Sequence, residues 1–364
     1  MAEALKEMFN KQFYQHFAEE FNKADKNFHP DKFVKDVTKN IEALSLNQRM
    51  RNTSVVLKKY LPADYKKSIE LLFKTIPNLS NSYTSLVFPD FVGLYGHDDF
   101  NLSMEALKHF TQFGSSEFAI REFLKRDFNK TIIVMNKWAD DKNHHVRRLA
   151  SEGSRPRLPW SFKLDEVIKN PKVTQLILEK LKSDDELYVR KSVANHLNDI
   201  SKDNTEWMID LLTTWDKTNV NTSWIVKHAS RTLIKKGNAR SLSLFNFEKK
   251  VKINIDNFKL NKSKLKLGEI LQFEFDIISE KAKTQKLVID FAVHYFKKSG
   301  ELSPKVFKLK ELELKAGKAM HIIKKHRFQD FTTRKHYSGK HIIEILVNGK
   351  SLQKKQFELI VTDK

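Results

Sequence analysis

Four arginines, a glutamate and a tryptophan share the sixteen residues His145–Trp160 (HVRRLASEGSRPRLPW). The run begins as an amphipathic helix and breaks at Gly153 into a proline-stiffened turn that ends on Trp160. Guanidinium groups suit phosphates, because each presents a fork of donors and never loses its charge. A carboxylate adds nothing to anion binding. Glu152 makes chemical sense beside those arginines if something cationic must be held there too. Gripping a phosphate backbone while steadying a positive centre is what removal of a cationic, alkylated base from DNA requires. Two plainer readings stay open: Glu152 pairs with a neighbouring arginine on the surface, and Trp160 is a packing residue.

The elements that carry this run are legible in outline. The chain has 364 residues, enough for two domains with sizeable cores. Residues 1–247 read as helical. Phe9, Phe13, Phe17 and Phe21 form an apolar stripe, and Leu102, Leu107 and Phe110 another after a cap-like Asn101-Leu102-Ser103. A weak repeat runs through Val146–Ser151, Val189–Ala194 and Ile225–Ser230, each preceded by an acidic or Asn-rich turn. Helix pairs of this period indicate a HEAT-like α-solenoid. Its basic second helices would line the concave side, with arginines and helix N-termini open to phosphates.

From residue 250 to 364 the pattern becomes short, β-rich and alternating, with turns at Ser299-Gly300, Ala316-Gly317 and Asn348-Gly349. Six or seven such strands fit an immunoglobulin-like β-sandwich, with Tyr337-Ser338-Gly339 as a candidate tyrosine corner. The expected architecture is therefore multidomain α plus β.

Charge points to the partner. The chain carries 66 Lys+Arg against 45 Asp+Glu, a net +21, and residues 249–364 hold two-thirds of that excess. Such a balance favours a polyanion. Lys324, Lys325 and Arg327, with Arg334 and Lys335, could form one basic edge of the sandwich that grips DNA. Cysteine is absent, which excludes disulfides, thiolate catalysis and cysteine-ligated zinc. There is no Walker or dinucleotide fingerprint and no convincing histidine–acid metal arrangement, so neither cofactor nor metal is expected. The start of the chain lacks a signal-type apolar core, and no run approaches the roughly 20 apolar residues needed to span a bilayer. A cytoplasmic monomer without a membrane partner is the expectation.

The segments FVGLYG (Phe91–Gly96), LSMEAL (Leu102–Leu107), SSEFAIRE (Ser115–Glu122), HVRRLASEGSRPRLPW, VRKSVANHLND (Val189–Asp199) and WIVKHASRTLIKKG (Trp224–Gly237) resemble the AlkC branch of the HEAT-like alkylpurine DNA glycosylases. They are similar, more distantly, to AlkD. The C-terminal part, with Phe331-Thr332-Thr333-Arg334 and Tyr337–His341, resembles the immunoglobulin-like domain of some AlkC members. The resemblance implies monofunctional excision of cationic N3-alkylated bases, such as 3-methyladenine and 3-methylcytosine, from duplex DNA without base flipping. It also implies Glu152 and Asp199 as primary catalytic carboxylates, Glu117 as supporting, and Trp160 against the lesion. Arg148, Arg155, Arg157, Lys227 and Arg231 are then expected on the DNA. Such chemistry suits the residues: the alkylated base is already a good leaving group, and carboxylates stabilise the positive charge growing on the sugar. The competing reading is a non-catalytic HEAT-repeat scaffold that recognises distorted DNA. A lysine-rich membrane-surface module is weaker, for want of a long amphipathic helix.

Overall fold

The computed structural model describes residues 5–79, 81–248, 250–331 and 334–361. Thr332 and Thr333 of the FTTR motif, and Met1–Ala4 at the start of the chain, lie outside them. The described chain divides into two compact units, Met1–Ala229 and Ser230–Lys364.

The first unit is helical. It opens with α1 (Lys11–Ala24), α2 (Pro30–Val37), α3 (Leu46–Lys58), α4 (Tyr65–Thr75), α5 (Val87–Tyr95) and α6 (Phe100–Phe110). Phe9, Phe17 and Phe21 are fully buried, and Phe17 and Phe21 meet Phe28, Phe33 and Phe88, whereas Phe13 stays at the margin. The cap of α6 is Asp99, which accepts from the Leu102 amide at 3.1 Å; Asn101 is already inside the helix. Asp takes this position because its carboxylate satisfies an amide that has no partner within the helix.

The repeats follow: α7 (Ala119–Arg126), α8 (Phe128–Trp138), α9 (His144–Gly153), α10 (Asp165–Lys169), α11 (Gln175–Leu181), α12 (Leu187–Ile200), α13 (Thr205–Thr214) and α14 (Val220–Ala229). The three repeated segments fall on α9, α12 and α14, and these helices stack in that order. Their matching apolar positions, Val146 with Ala150, Val189 with Val193, and Ile225 with Ala229, are all buried. Period and packing therefore agree, as a solenoid requires.

One expectation changes here. The repeated basic residues Arg147 and Arg190 do not stand open to an anion. Arg147 turns back to the carbonyls of Asp141 and Lys142 and bridges to Asp184. Arg190 does the same to the carbonyls of Asp184 and Asp185. An inter-repeat turn leaves carbonyls without backbone partners, and a guanidinium supplies several donors at once.

The second unit begins with α15 (Arg231–Lys235) and α16 (Ala239–Ser243), followed among the described residues by eight strands. A three-stranded sheet runs β1 (Ile253–Leu260), β3 (Ile270–Ser279), β6 (Ala319–Arg327). A five-stranded sheet runs β2 (Lys264–Lys266), β8 (Lys350–Ile360), β7 (Gly339–Val347), β4 (Gln285–Phe296), β5 (Leu302–Leu314). All pairings are antiparallel except β2 with β8. Phe273, Phe275 and Ile277 face Leu287, Ile289, Phe291 and Ile345 across a dry core. The outer strand β5 carries Pro304 and alternating lysines and glutamates, which discourage further strand pairing.

Two sequence expectations need correction in this unit. Lys324, Lys325 and Arg327 are not in a loop: they belong to β6, where alternation exposes Lys325 and Arg327 while Lys324 is partly covered. Only Arg334 and Lys335 lie on a connection. Tyr337 forms no tyrosine corner. Among the described residues its hydroxyl has no hydrogen bond, and the neighbouring Ser338 hydroxyl instead accepts from the Val361 amide at 2.8 Å.

The short helices α15 and α16 pack on this sandwich, with Ile234, Leu242 and Phe247 against Val288. Their turn meets the β7–β8 turn glycine to glycine. A Cβ on Gly349 would fall on the backbone of Gly237, and its φ of +76° is itself unfavourable for other residues. Gly349→Ala is therefore expected to lower the melting temperature of the sandwich by several degrees, since the conformation alone costs about 1–2 kcal/mol. An unchanged melting curve would show that the turns are free to separate.

No helix among the described residues is long and apolar enough to cross a membrane.

Candidate active site

The turn after α9 is built around a buried arginine. Arg121 on α7 is fully buried among apolar neighbours. Its guanidinium donates to the carbonyls of Gly153 at 3.0 Å, Arg155 at 2.7 Å and Phe162. Three carbonyls spread over ten residues are thus fixed to one rigid fork. Gly153 is required at the start of this turn, because a Cβ there would sit 2.5 Å from the Ile120 side chain on α7. Buried Leu158 anchors the middle, and the Leu164 amide closes the turn on the Pro156 carbonyl at 3.1 Å. Burial first, then Arg155, lowers the Arg121 pKa to about 10, which leaves it charged at neutral pH.

At the tip stands Trp160, with 72% of its surface exposed and φ of +64°. The other four described non-glycine residues with positive φ are all asparagines. Asparagine tolerates this region through its short polar side chain, but a bulky aromatic is strained there. The chain holds a large apolar ring in solvent on a strained backbone, which is the reverse of what a packing residue needs.

Beneath it the charged residues alternate. Glu117, in the turn before α7, pairs with Arg148. The Arg148 guanidinium also lies 3.5 Å from Glu152. Glu152 accepts from Arg155 at 2.5 Å and from the Ser192 hydroxyl at 2.6 Å. Arg155 then grips Asp199 through two nitrogens at 2.9 and 2.7 Å, and Lys202 completes the row at 2.9 Å. Burial opposes the charge on Arg148 and Arg155, but Glu152 leads the carboxylates that outweigh it and raise both pKa values. Ser115 cross-braces the first pair: it accepts from Arg148 at 2.9 Å and donates to Glu117 at 2.8 Å.

The structure thus brings Glu117, Glu152, Asp199, Arg148 and Arg155 together across α7, α9 and α12. Glu117, Arg148, Glu152 and Trp160 line one open cleft of about 470 Å³, together with Tyr83 and Tyr188. Asp199 does not line it and stands behind Arg155. Arg148, Arg155 and Arg157, expected on phosphates, are all already paired with carboxylates: Arg157, further out, binds Asp203 at 2.9 and 2.6 Å. Lys227 is exposed on α14, and Arg231 opens α15 in the other unit. No group of three potential ligands able to hold a metal ion occurs among the described residues.

Several supporting residues escaped the sequence reading. Arg121 had only a weak signal: it adjoins the apolar arc formed by Ile120, Phe123 and Leu124. Tyr188, over which the Arg148 guanidinium stacks at 4.9 Å, had none. His196 likewise had none, yet it is fully buried and ties α12 to α9. Its Nδ1 donates to the Ser151 carbonyl at 3.0 Å, and its Nε2 lies 3.3 Å from the Thr174 hydroxyl.

Comparison with known proteins gives this geometry a family. Residues 109–233 match the family described as DNA alkylation repair enzyme, and residues 254–361 match the C-terminal Ig-like domain of the uncharacterised protein YhaZ. The chain is 37% identical to the uncharacterized protein YhaZ of Bacillus subtilis (strain 168), over 98% of this chain and 99% of that one. A solved structure, Pseudomonas fluorescens alkylpurine DNA glycosylase AlkC bound to DNA containing an abasic site analog, superimposes with a TM-score of 0.95. The two are 47% identical, over 98% of this chain and 99% of the other. This chain belongs to the AlkC-type alkylpurine DNA glycosylases. It is an enzyme, with a helical glycosylase part followed by an Ig-like domain.

His196 makes the site's framework acid-sensitive. Burial, and next Arg155, lowers its pKa from 6.5 to about 3. The unfolded chain therefore takes up a proton that the folded one refuses, so this stability is complete above pH 6.5 and declines as pH falls towards 3. Asp290 in the sandwich shifts the opposite way, raised by burial to about 6, so the comparison must be between variant and parent. His196→Gln is expected to be less stable at neutral pH. Its deficit should shrink on acidification by about 1.4 kcal/mol per pH unit. Denaturant melts near pH 7.5 and pH 5 measure this, and a constant deficit would refute it.

Proposed function

We propose that this glycosylase excises cationic N3-alkylated bases, 3-methyladenine and 3-methylcytosine, from duplex DNA, with Glu152 and Asp199 as the principal carboxylates and Glu117 in support. The observation that carries this reading is the row of alternating charges ending in a cleft beneath an exposed tryptophan. An alkylated base carries a formal positive charge, so the glycosidic bond breaks without a general acid. As it stretches, positive charge grows on the deoxyribose. Carboxylates already fixed by arginines and Ser192 need no reorganisation to stabilise that charge, which is the most effective form of electrostatic help. Glu152 and Glu117 act from the cleft wall. Asp199 acts through Arg155, whose orientation it fixes.

The arginines keep a role on the DNA. A guanidinium has five N–H donors. Arg155 spends three on Glu152 and Asp199, which leaves donors for a phosphate beside the lesion. Trp160 would lie against the lesion nucleotide, its π face attracted to the cation. An open cleft, rather than an enclosed cavity, suits a base that is not flipped out and leaves the carboxylates accessible to the attacking water. Lys227, Arg231, Lys325 and Arg327 are assigned to backbone contacts, in a protein acting as a monomer.

Two experiments test this. Free methylated base should be released from methylated duplex DNA, and Glu152→Gln and Asp199→Asn should each slow release about 10²-fold or more, with duplex affinity level or slightly higher. Glu117→Gln should cost less. Because breaking a buried pair is itself destabilising, each variant is compared below its own melting point; near-parental rates in all three would remove the assignment. Trp160→Gly separates strain from contact. It should leave the melting temperature unchanged or raised, because the left-handed backbone then suits its residue, while excision falls at least about tenfold. A lower melting temperature would instead mark Trp160 as a packing residue.

A further inference from the structure

One end of the sandwich carries a second concentration of chemistry. There β4 and β6 run out, β5 begins, and the connection from Phe328 leads into β7. β5 and β6 are outermost strands of different sheets, so no ladder closes the seam between them. A cavity of about 350 Å³ opens in this region. Its aromatic walls are Tyr295, Phe307 and Phe331, and its charges, Lys305, Arg327 and Arg334, are all positive.

This cluster lacks the compensation seen around Glu152. Among the described residues no carboxylate pairs with those three cations; the nearby Asp330 is taken by His336 at 2.9 Å. The cations lean on the rings instead. Lys305 lies 5.3 Å from the centre of Phe307, and the Arg334 guanidinium 4.7 Å from that of Tyr295. Their mutual repulsion registers on the titratable groups around the cavity. Burial and then Arg334 lower the Lys305 pKa, and burial, Lys324 and Arg334 push His326 down to about 4. A tight pairing of Phe331 with Arg334, at 2.9 and 3.0 Å between backbone groups, places the exposed ring and the guanidinium on the same rim. Arg334 also borders an adjoining cavity of about 560 Å³ whose charged residues are Lys297, Lys298, Arg334 and Lys335.

Phosphate contacts alone would explain the lysines but not a cavity walled by three rings. An apolar ligand would explain the rings but not the unpaired cations. A planar ring joined to phosphate satisfies both, and the volume falls at the small-ligand scale of roughly 300–1,000 Å³. In intact duplex the bases are stacked and cannot enter. A continuous anion is favoured over a free one because the second cavity extends the positive charge past the first.

We propose that this cavity is a nucleotide site that receives one unstacked base of a single-stranded or locally opened DNA strand, with flanking phosphates against Arg334, Lys297, Lys298 and Lys335. It is separate from the Glu152 cleft, and its test does not depend on base excision.

The test uses the full chain and undamaged DNA: a labelled oligothymidine of about fifteen nucleotides and a duplex of equal length, followed by fluorescence anisotropy. Phe331 is exposed, so Phe331→Ala should fold normally, which its melting curve checks. It is expected to weaken single-strand binding about tenfold, as loss of one base–aromatic stack does, and to change duplex binding less than about twofold. Lys305→Gln should also weaken the single strand. Unchanged single-strand affinity in both variants, or equal losses on strand and duplex, would overturn the proposal. So would binding of thymidine monophosphate by a protein that fails to bind the strand, since the cavity would then serve free nucleotides.

Discussion

The site depends on one buried cation. Arg121 forms no ion pair among the described residues and donates to three backbone carbonyls, so its hydrogen bonds last only while Gly153, Arg155 and Phe162 stay where they are, with Glu117, Asp199 and Glu152 adding favourable charge at longer range. Breaking such an arrangement leaves a charge in a low-dielectric interior, at a cost of about 3–5 kcal/mol. That penalty makes the turn rigid. The rigidity in turn holds Trp160 in a conformation its residue type disfavours, and aims Arg155 between two acids.

The row from Glu117 to Lys202 follows from the same constraint. Like charges crowded on neighbouring repeats would repel, and buried ones would be expelled. Alternation solves both problems, because each charge inside the row has an opposite charge on either side. The side chains are consequently fixed before any ligand arrives. A glycosylase that relies on electrostatics benefits from that order, since carboxylates in water would have to reorganise as charge develops. Repeat stacking supplies the geometry: Arg147 and Arg190 hold the turns, and His196 joins α12 to α9, so the acids on different helices keep a constant spacing.

The two units use arginine and lysine differently. In the helical unit the functional arginines are matched by acids and positioned. In the sandwich the cations around Lys305 and Arg334 face one another without an acid and lean on aromatic rings. The first arrangement is ordered in itself; the second would, on the proposal above, be completed by an anion.

The periodicity of the helices, the switch to alternating strands near residue 250 and the joint appearance of arginines, Glu152 and Trp160 were all legible in the sequence, because they depend on local pattern. So was the repeat, since α9, α12 and α14 each carry the same buried apolar spacing. Sequence alone also set the excess of positive charge and excluded thiol chemistry. It did not decide which way each arginine points. Arg147, Arg148 and Arg155 look equivalent along the chain, yet one braces a turn and two bind acids from other helices. Nor did it place β6, whose lysines hid a strand, or mark Arg121 and His196 as supports. Most of those outcomes rest on contacts between residues about 30 to 57 apart in sequence, and such contacts exist only once the helices have stacked and the strands have paired.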